Sequence, residues 1–181
     1  MRPITWLWKR ERLFAVVIGL VDGILTALTL AAGRVMSSTA SIDVPLALRI
    51  SAGASLSGAF IFFTAEYARL RGELAHAERQ LMLTPRGRLA ATKLGGAVFR
   101  DTVGGAATSS ICSFLGALAP LIVGSLLPGR SWLAIVTAII ALGALGAGLA
   151  RLVYGNSLRW AVVLMIAGGL LSLVGIELHI I

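Results

Sequence analysis

An aspartate stands about halfway along an apolar stretch: Gly19-Leu20-Val21-Asp22-Gly23-Ile24-Leu25-Thr26-Ala27-Leu28-Thr29 lies inside residues 13–33. That stretch has the length of a bilayer crossing, which takes roughly 20 apolar residues. An ionisable group at such a depth costs about 3 kcal/mol on insertion scales, so it is expected to face a partner or a water-filled path. Thr26 and Thr29 follow at i+4 and i+7, which puts three oxygen-bearing side chains on one helix stripe. Asp22 is the first candidate for a functional site, with Thr26 and Thr29 beside it.

A second group of chemistry-bearing residues follows the next apolar stretch. Glu66, Glu73 and His76 fall at i, i+7 and i+10 of a segment rich in helix formers, with Glu78 two residues on. Carboxylate and imidazole suit divalent first-row metals, so this face could gather metal. The competing reading is a solvated face whose arginines meet anionic lipid heads. Ser51, Ser55, Gly58, Phe62 and Glu66 share one face of the second apolar segment. Thr102, Ala106, Ser109, Ser113, Gly116 and Pro120 share one face of the third. Such rows mark either close helix packing or a polar path. Only the stripes that carry an acid, Asp22 and Glu66, support a path, and Ser51 and Ser55 then join its lining.

These residues need helices to hold them, and the composition says in which solvent. Hydrophobic residues make up 57% of 181 and charged residues 13%, with a mean hydropathy of +0.91, so the chain reads as an all-α integral membrane protein. Five segments have the length and apolarity to cross a bilayer: about 13–33, 46–66, 103–126, 132–153 and 160–180. Residues 67–100 form the one sizeable insertion, a charged amphipathic helix that continues the second span and breaks at Thr84-Pro85-Arg86-Gly87. Pro120 is expected to bend the third span unless neighbours satisfy the freed carbonyl. Glu177 and His179 sit at the far end of the fifth span, as interfacial residues.

The net charge of +8 does not signal nucleic acid, because the basic residues lie between apolar spans and form no stripe with interleaved aromatics. Their distribution gives a topology instead. Arg2, Lys9, Arg10, Arg12, Arg69, Arg71, Arg79, Arg86, Arg88, Lys93, Arg100, Arg151 and Arg159 fall on one side, against Arg34, Arg49 and Arg130 on the other. The positive-inside rule then places the N-terminus and the insertion in the cytoplasm and the C-terminus outside or in a lumen. The lone Cys112 excludes an intrachain disulfide. No P-loop, nucleophile elbow, His-Glu-x-x-His or dinucleotide fingerprint is present, so no soluble enzyme and no tightly bound cofactor is expected.

Several of these pieces, in this order, resemble the vacuolar iron transporter family, which includes the nodulin-21-like proteins. They are Gly19-Leu-Val-Asp22-Gly23 with Ala31-Ala-Gly33, then Ala65-Glu66-Tyr67 followed by a charged helix, then Ser113-Phe-Leu-Gly116-Ala-Leu-Ala-Pro120. The resemblance implies a homodimer that exports ferrous iron or manganese from the cytoplasm, with proton exchange. It also implies a path at the dimer interface lined by spans one and two, with Asp22 and Glu66 as site residues. The sequence departs from the pattern where the family keeps a glutamate and a methionine in span two; Ala54 and Phe62 stand there. Ala27 replaces a common proline, and the cytoplasmic metal-binding bundle is reduced to Glu73, His76 and Glu78. Two readings follow: a metal exporter, or a non-transporting scaffold or partner subunit with a degenerate metal site. Transport of another substrate, with Asp22 as proton carrier, is a third.

Overall fold

The computed structural model describes residues 4–36, 43–80, 93–126, 132–152 and 155–177. They form five α-helices: α1 (Ile4–Met36), α2 (Val44–Gln80), α3 (Lys93–Leu126), α4 (Trp132–Leu152) and α5 (Ser157–Glu177). Each holds a stretch long and apolar enough to cross a membrane, and among the described residues there is no strand. The chain is an all-α, multi-pass integral membrane protein. Leu56, Phe60 and Leu158 are 75%, 71% and 73% exposed, surfaces that suit lipid and not water.

The helix ends follow local chemistry. Val44-Pro45 opens α2, where the missing N–H of proline costs nothing, and the Ala47 N–H reaches back to the Asp43 carbonyl at 3.0 Å. Asn156 caps α5, its Oδ1 accepting from the Leu158 N–H at 3.1 Å. α2 runs past the membrane stretch to Gln80 without a break, as its run of Ala, Leu, Glu and Arg favours. α3 begins at Lys93, ten residues before the apolar segment read from sequence, because Leu94 to Phe99 is itself apolar and helical. Pro120 lies inside α3, fully buried, and the helix continues to Leu126. The expected break at Thr84–Gly87, and His179, lie outside the described residues.

α1 packs against all four other helices, and α3 joins it to α2 and α4. The seam between α1 and α3 is made by backbone. A Cβ on Gly19 would meet the Ser109 carbonyl oxygen, one on Gly23 the Ser113 carbonyl oxygen, and one on Gly116 the Leu20 carbonyl oxygen at 2.8 Å. Gly19 and Gly23 form a Gly-x-x-x-Gly pair, the spacing that lets two membrane helices touch along their main chains. A core of Ala27, Ala31, Ala47, Ala54, Ala117, Leu121 and Ala134 continues this close packing beyond Asp22. On the other side Ala15, Phe62 and Ala106 pack together.

Within the protomer α1 touches all four other helices, and Ala27 and Ala31 are fully buried against them. The glycine pair holds α1 to α3 of the same chain.

Candidate functional site

Asp22 lies between the two glycines of the seam, so its carboxylate emerges where α1 is pressed onto α3. There it meets Ser113, whose hydroxyl reaches Asp22 Oδ2 at 3.0 Å. The same hydroxyl reaches the Ala54 carbonyl oxygen of α2, also at 3.0 Å. Gly58, one turn further along α2, stands over the pair; a Cβ there would lie 2.9 Å from Asp22 Oδ2 and 3.1 Å from Ser113 Oγ. Three helices thus bring a carboxylate, a hydroxyl and a main-chain carbonyl to one point inside the bundle.

A serine hydroxyl carries one proton, and here two acceptors lie at the same distance. The Ala54 carbonyl also accepts from the Ser57 hydroxyl of its own helix at 3.0 Å, so the Ser113 proton is left to the carboxylate. A hydrogen bond to a charged group contributes about 1.5–3 kcal/mol, comparable with the cost of placing a carboxylate at membrane depth. Ser109 is a further polar group at this level. It lies one turn from Ser113 on the same face of α3, is fully buried, and its hydroxyl has no hydrogen-bond partner among the described residues. Most helical serines in such a setting bond back to a carbonyl, as Ser51 does.

The other residues expected in the path turn to local duties. Thr26 Oγ1 donates to the Asp22 carbonyl at 2.9 Å and Thr29 Oγ1 to the Thr26 carbonyl at 3.0 Å. Ser51 Oγ donates to the Ala47 carbonyl at 2.8 Å. Thr26 and Thr29 lie on the Asp22 stripe of α1, but their protons, like that of Ser51 on α2, are committed to their own helices. Ser55 pairs with Ser110 of α3, oxygen to oxygen at 2.7 Å, and so joins two helices.

The face of Glu66, Glu73, His76 and Glu78 is not gathered into a metal site within one chain. Among the described residues no three His, Cys, Asp or Glu side chains are placed to hold a metal. Arg69 explains part of this. Its guanidinium bridges Glu66 and Glu73, with Nε 3.0 Å from Glu66 Oε2, so both carboxylates already have a cation. His76 Nε2 faces the Gln80 amide at 3.2 Å, and Glu78 is buried on another side of the helix. Helical spacing predicted a shared face correctly but not the arginine inserted at i+3 of Glu66. Beside this group Phe63 stacks on Tyr67 at 5.6 Å, Phe99 meets both rings edge-on, and Arg71 lies over Tyr67. Such a belt is typical of a membrane–water boundary.

Ala54 and Phe62 are both packed. Ala54 is 3% exposed within the alanine core, and the Phe62 ring covers Gly105, where a Cβ would meet Cε1 at 2.5 Å. Sequence reasoning placed Ser113 only on a packing stripe and did not see the Ala54 carbonyl or Ser110 as partners. The signal was present in the Gly19–Asp22–Gly23 spacing, which demands a neighbouring backbone close to the acid. No protein-family model, no curated protein and no solved structure matches this chain.

Proposed function

We propose that this chain exports a divalent metal cation, ferrous iron or manganese, from the cytoplasm, as a divergent short member of the vacuolar iron transporter family. The observation that carries the reading is the Asp22 carboxylate held inside the bundle by a single hydroxyl. An acid at that depth costs several kcal/mol unless it is compensated, and none of the ion pairs seen among the described residues involves it. A transported cation is the compensation this reading assigns. Glu66 then marks the cytoplasmic approach, eight residues beyond Gly58 on α2 or about 12 Å along the helix axis at 1.5 Å per residue. Proton exchange would accompany transport, since a carboxylate that releases metal is free to take a proton. The working unit is a homodimer in the bilayer, with its second copy packed against the outward face of α2, where Gly53 and Ser57 allow close approach. No catalytic residue and no nucleic-acid partner belongs to this account.

One observation favours a second reading, a non-transporting scaffold or partner subunit. Ala54 and Phe62 fill with packed hydrocarbon the places where the resembled family keeps ligands. Growth of a metal-sensitive host separates the two. Under excess ferrous iron or manganese, expression of this chain should protect the host and the Asp22→Asn variant should not. Protection by neither protein, with both present in the membrane, would favour the scaffold.

A further inference from the structure

We propose that the ends of α2 and α3 that carry Arg71 and Arg100 form a docking surface for an anionic phospholipid. Arg71 binds the headgroup phosphate, and Phe63, Tyr67 and Phe99 lie beside the glycerol and upper acyl chains. The assignment is independent of the export reading.

Three observations carry it. First, rings from two helices mark the depth. Phe63 and Tyr67 of α2 stack with centroids 5.6 Å apart, and Phe99 of α3 meets them edge-on at 5.9 and 6.4 Å. Phe99 and Leu94 are more than half exposed, as are Phe60 and Ile61 deeper on α2. Aromatic rings beside exposed apolar side chains belong where acyl chains give way to headgroups.

Second, Arg71 is placed and unspent. It follows Tyr67 by one turn, about 6 Å further along the helix axis at 1.5 Å per residue. Its guanidinium carbon lies 5.9 Å from the centroid of the Tyr67 ring. That contact orients the side chain and leaves its five N–H donors without a hydrogen-bond partner among the described residues. A planar fork of this kind matches a phosphate with two parallel bonds, where an ammonium offers a point charge.

Third, the nearby acids are already occupied. Arg69 takes both Glu66 and Glu73, Glu78 is buried, and Asp101 of α3 is half-buried. Residues 67–100 hold seven basic side chains against two acidic ones, and Arg79 and Arg100 are exposed. The surplus is positive, which favours an anionic headgroup over a zwitterionic one. A soluble acidic partner would meet the arginines and leave the rings uncovered. A phospholipid covers both.

The test measures melting-temperature shifts of the full chain in neutral detergent, titrated with phosphatidylglycerol, phosphatidylcholine or free glycerol phosphate. Phosphatidylglycerol should stabilise the parent more than phosphatidylcholine, and glycerol phosphate at the same concentration should give no shift. Arg71→Ala should weaken the apparent phosphatidylglycerol affinity about fivefold, the effect of one basic residue near an anionic surface. Arg71→Lys, which keeps the charge and loses the fork, should fall between the two. Arg49→Ala, exposed near the opposite end of α2, should behave as the parent. Each shift is read against the same protein without lipid, so a change in intrinsic stability does not enter. Equal shifts with the two phospholipids, or an Arg71→Ala variant that matches the parent, would overturn the proposal. So would a shift with glycerol phosphate as large as with the lipid, which would make the ligand a soluble phosphate. None of these outcomes bears on Asp22 or on export.

Discussion

Ser113 of α3 holds Asp22 of α1 at 3.0 Å across a seam in which the two backbones touch on either side of the acid. The carboxylate is therefore positioned by main-chain contact, and the glycines that permit the contact are as much part of the site as the acid.

Gly23→Ala should destabilise the protein by about 1–3 kcal/mol or more, the range for overpacking a tight interior, because its Cβ would run into the Ser113 carbonyl oxygen. Gly72 and Gly148 meet nothing within 4 Å, so alanine there should be neutral or stabilising by up to about 1 kcal/mol through helix propensity. Thermal melts in detergent would compare the three. Equal behaviour at Gly23 and Gly148 would show that the seam is looser than described.

The two family departures should respond differently to restoration. Phe62→Met is nearly volume-conserving and should cost less than about 1.5 kcal/mol. Ala54→Glu forces a long carboxylate into the alanine core and should cost several kcal/mol, part of which manganese or ferrous iron recovers. Melts with and without metal test this. A double variant with the same metal-induced shift as the parent would show that neither position reaches the cation.

Much of this architecture was legible in the sequence because membrane helices are written in hydropathy. All five were found, and the Asp22 stripe with Thr26 and Thr29 follows helical spacing as read. What spacing could not supply was the neighbour. Ser113 lies 91 residues from Asp22 in the chain, and only the packing of α1 on α3 makes them partners. The same blindness affected Glu66 and Glu73, whose shared face was predicted and whose neutralisation by Arg69 was not. A Gly-x-x-x-Gly pair likewise does not say from sequence whether it meets its own chain or another; here Gly19 and Gly23 meet α3 of the same chain.

Topology offers an independent check. With thirteen of sixteen basic residues on one side, a reporter fused after Ile181 should lie outside the cytoplasm and one inserted near Thr84 inside it. A cytoplasmic C-terminus would contradict the positive-inside assignment and the direction of export with it.

If two copies associate through the outward face of α2, single cysteines at Gly53 or Ser57 should cross-link in a Cys112→Ser background, and cysteines on the lipid-facing side of α5, such as Leu170, should not. Cross-linking at Leu170 alone would place the interface elsewhere.

The central claim is that the Asp22 carboxylate carries a divalent cation through the protein, and uptake into sealed proteoliposomes tests it most directly. Vesicles containing the parent chain should accumulate manganese or ferrous iron down an imposed gradient, faster than empty vesicles. Vesicles with equal amounts of folded Asp22→Asn should match the empty ones. Uptake by Asp22→Asn at the parent's rate would contradict the account.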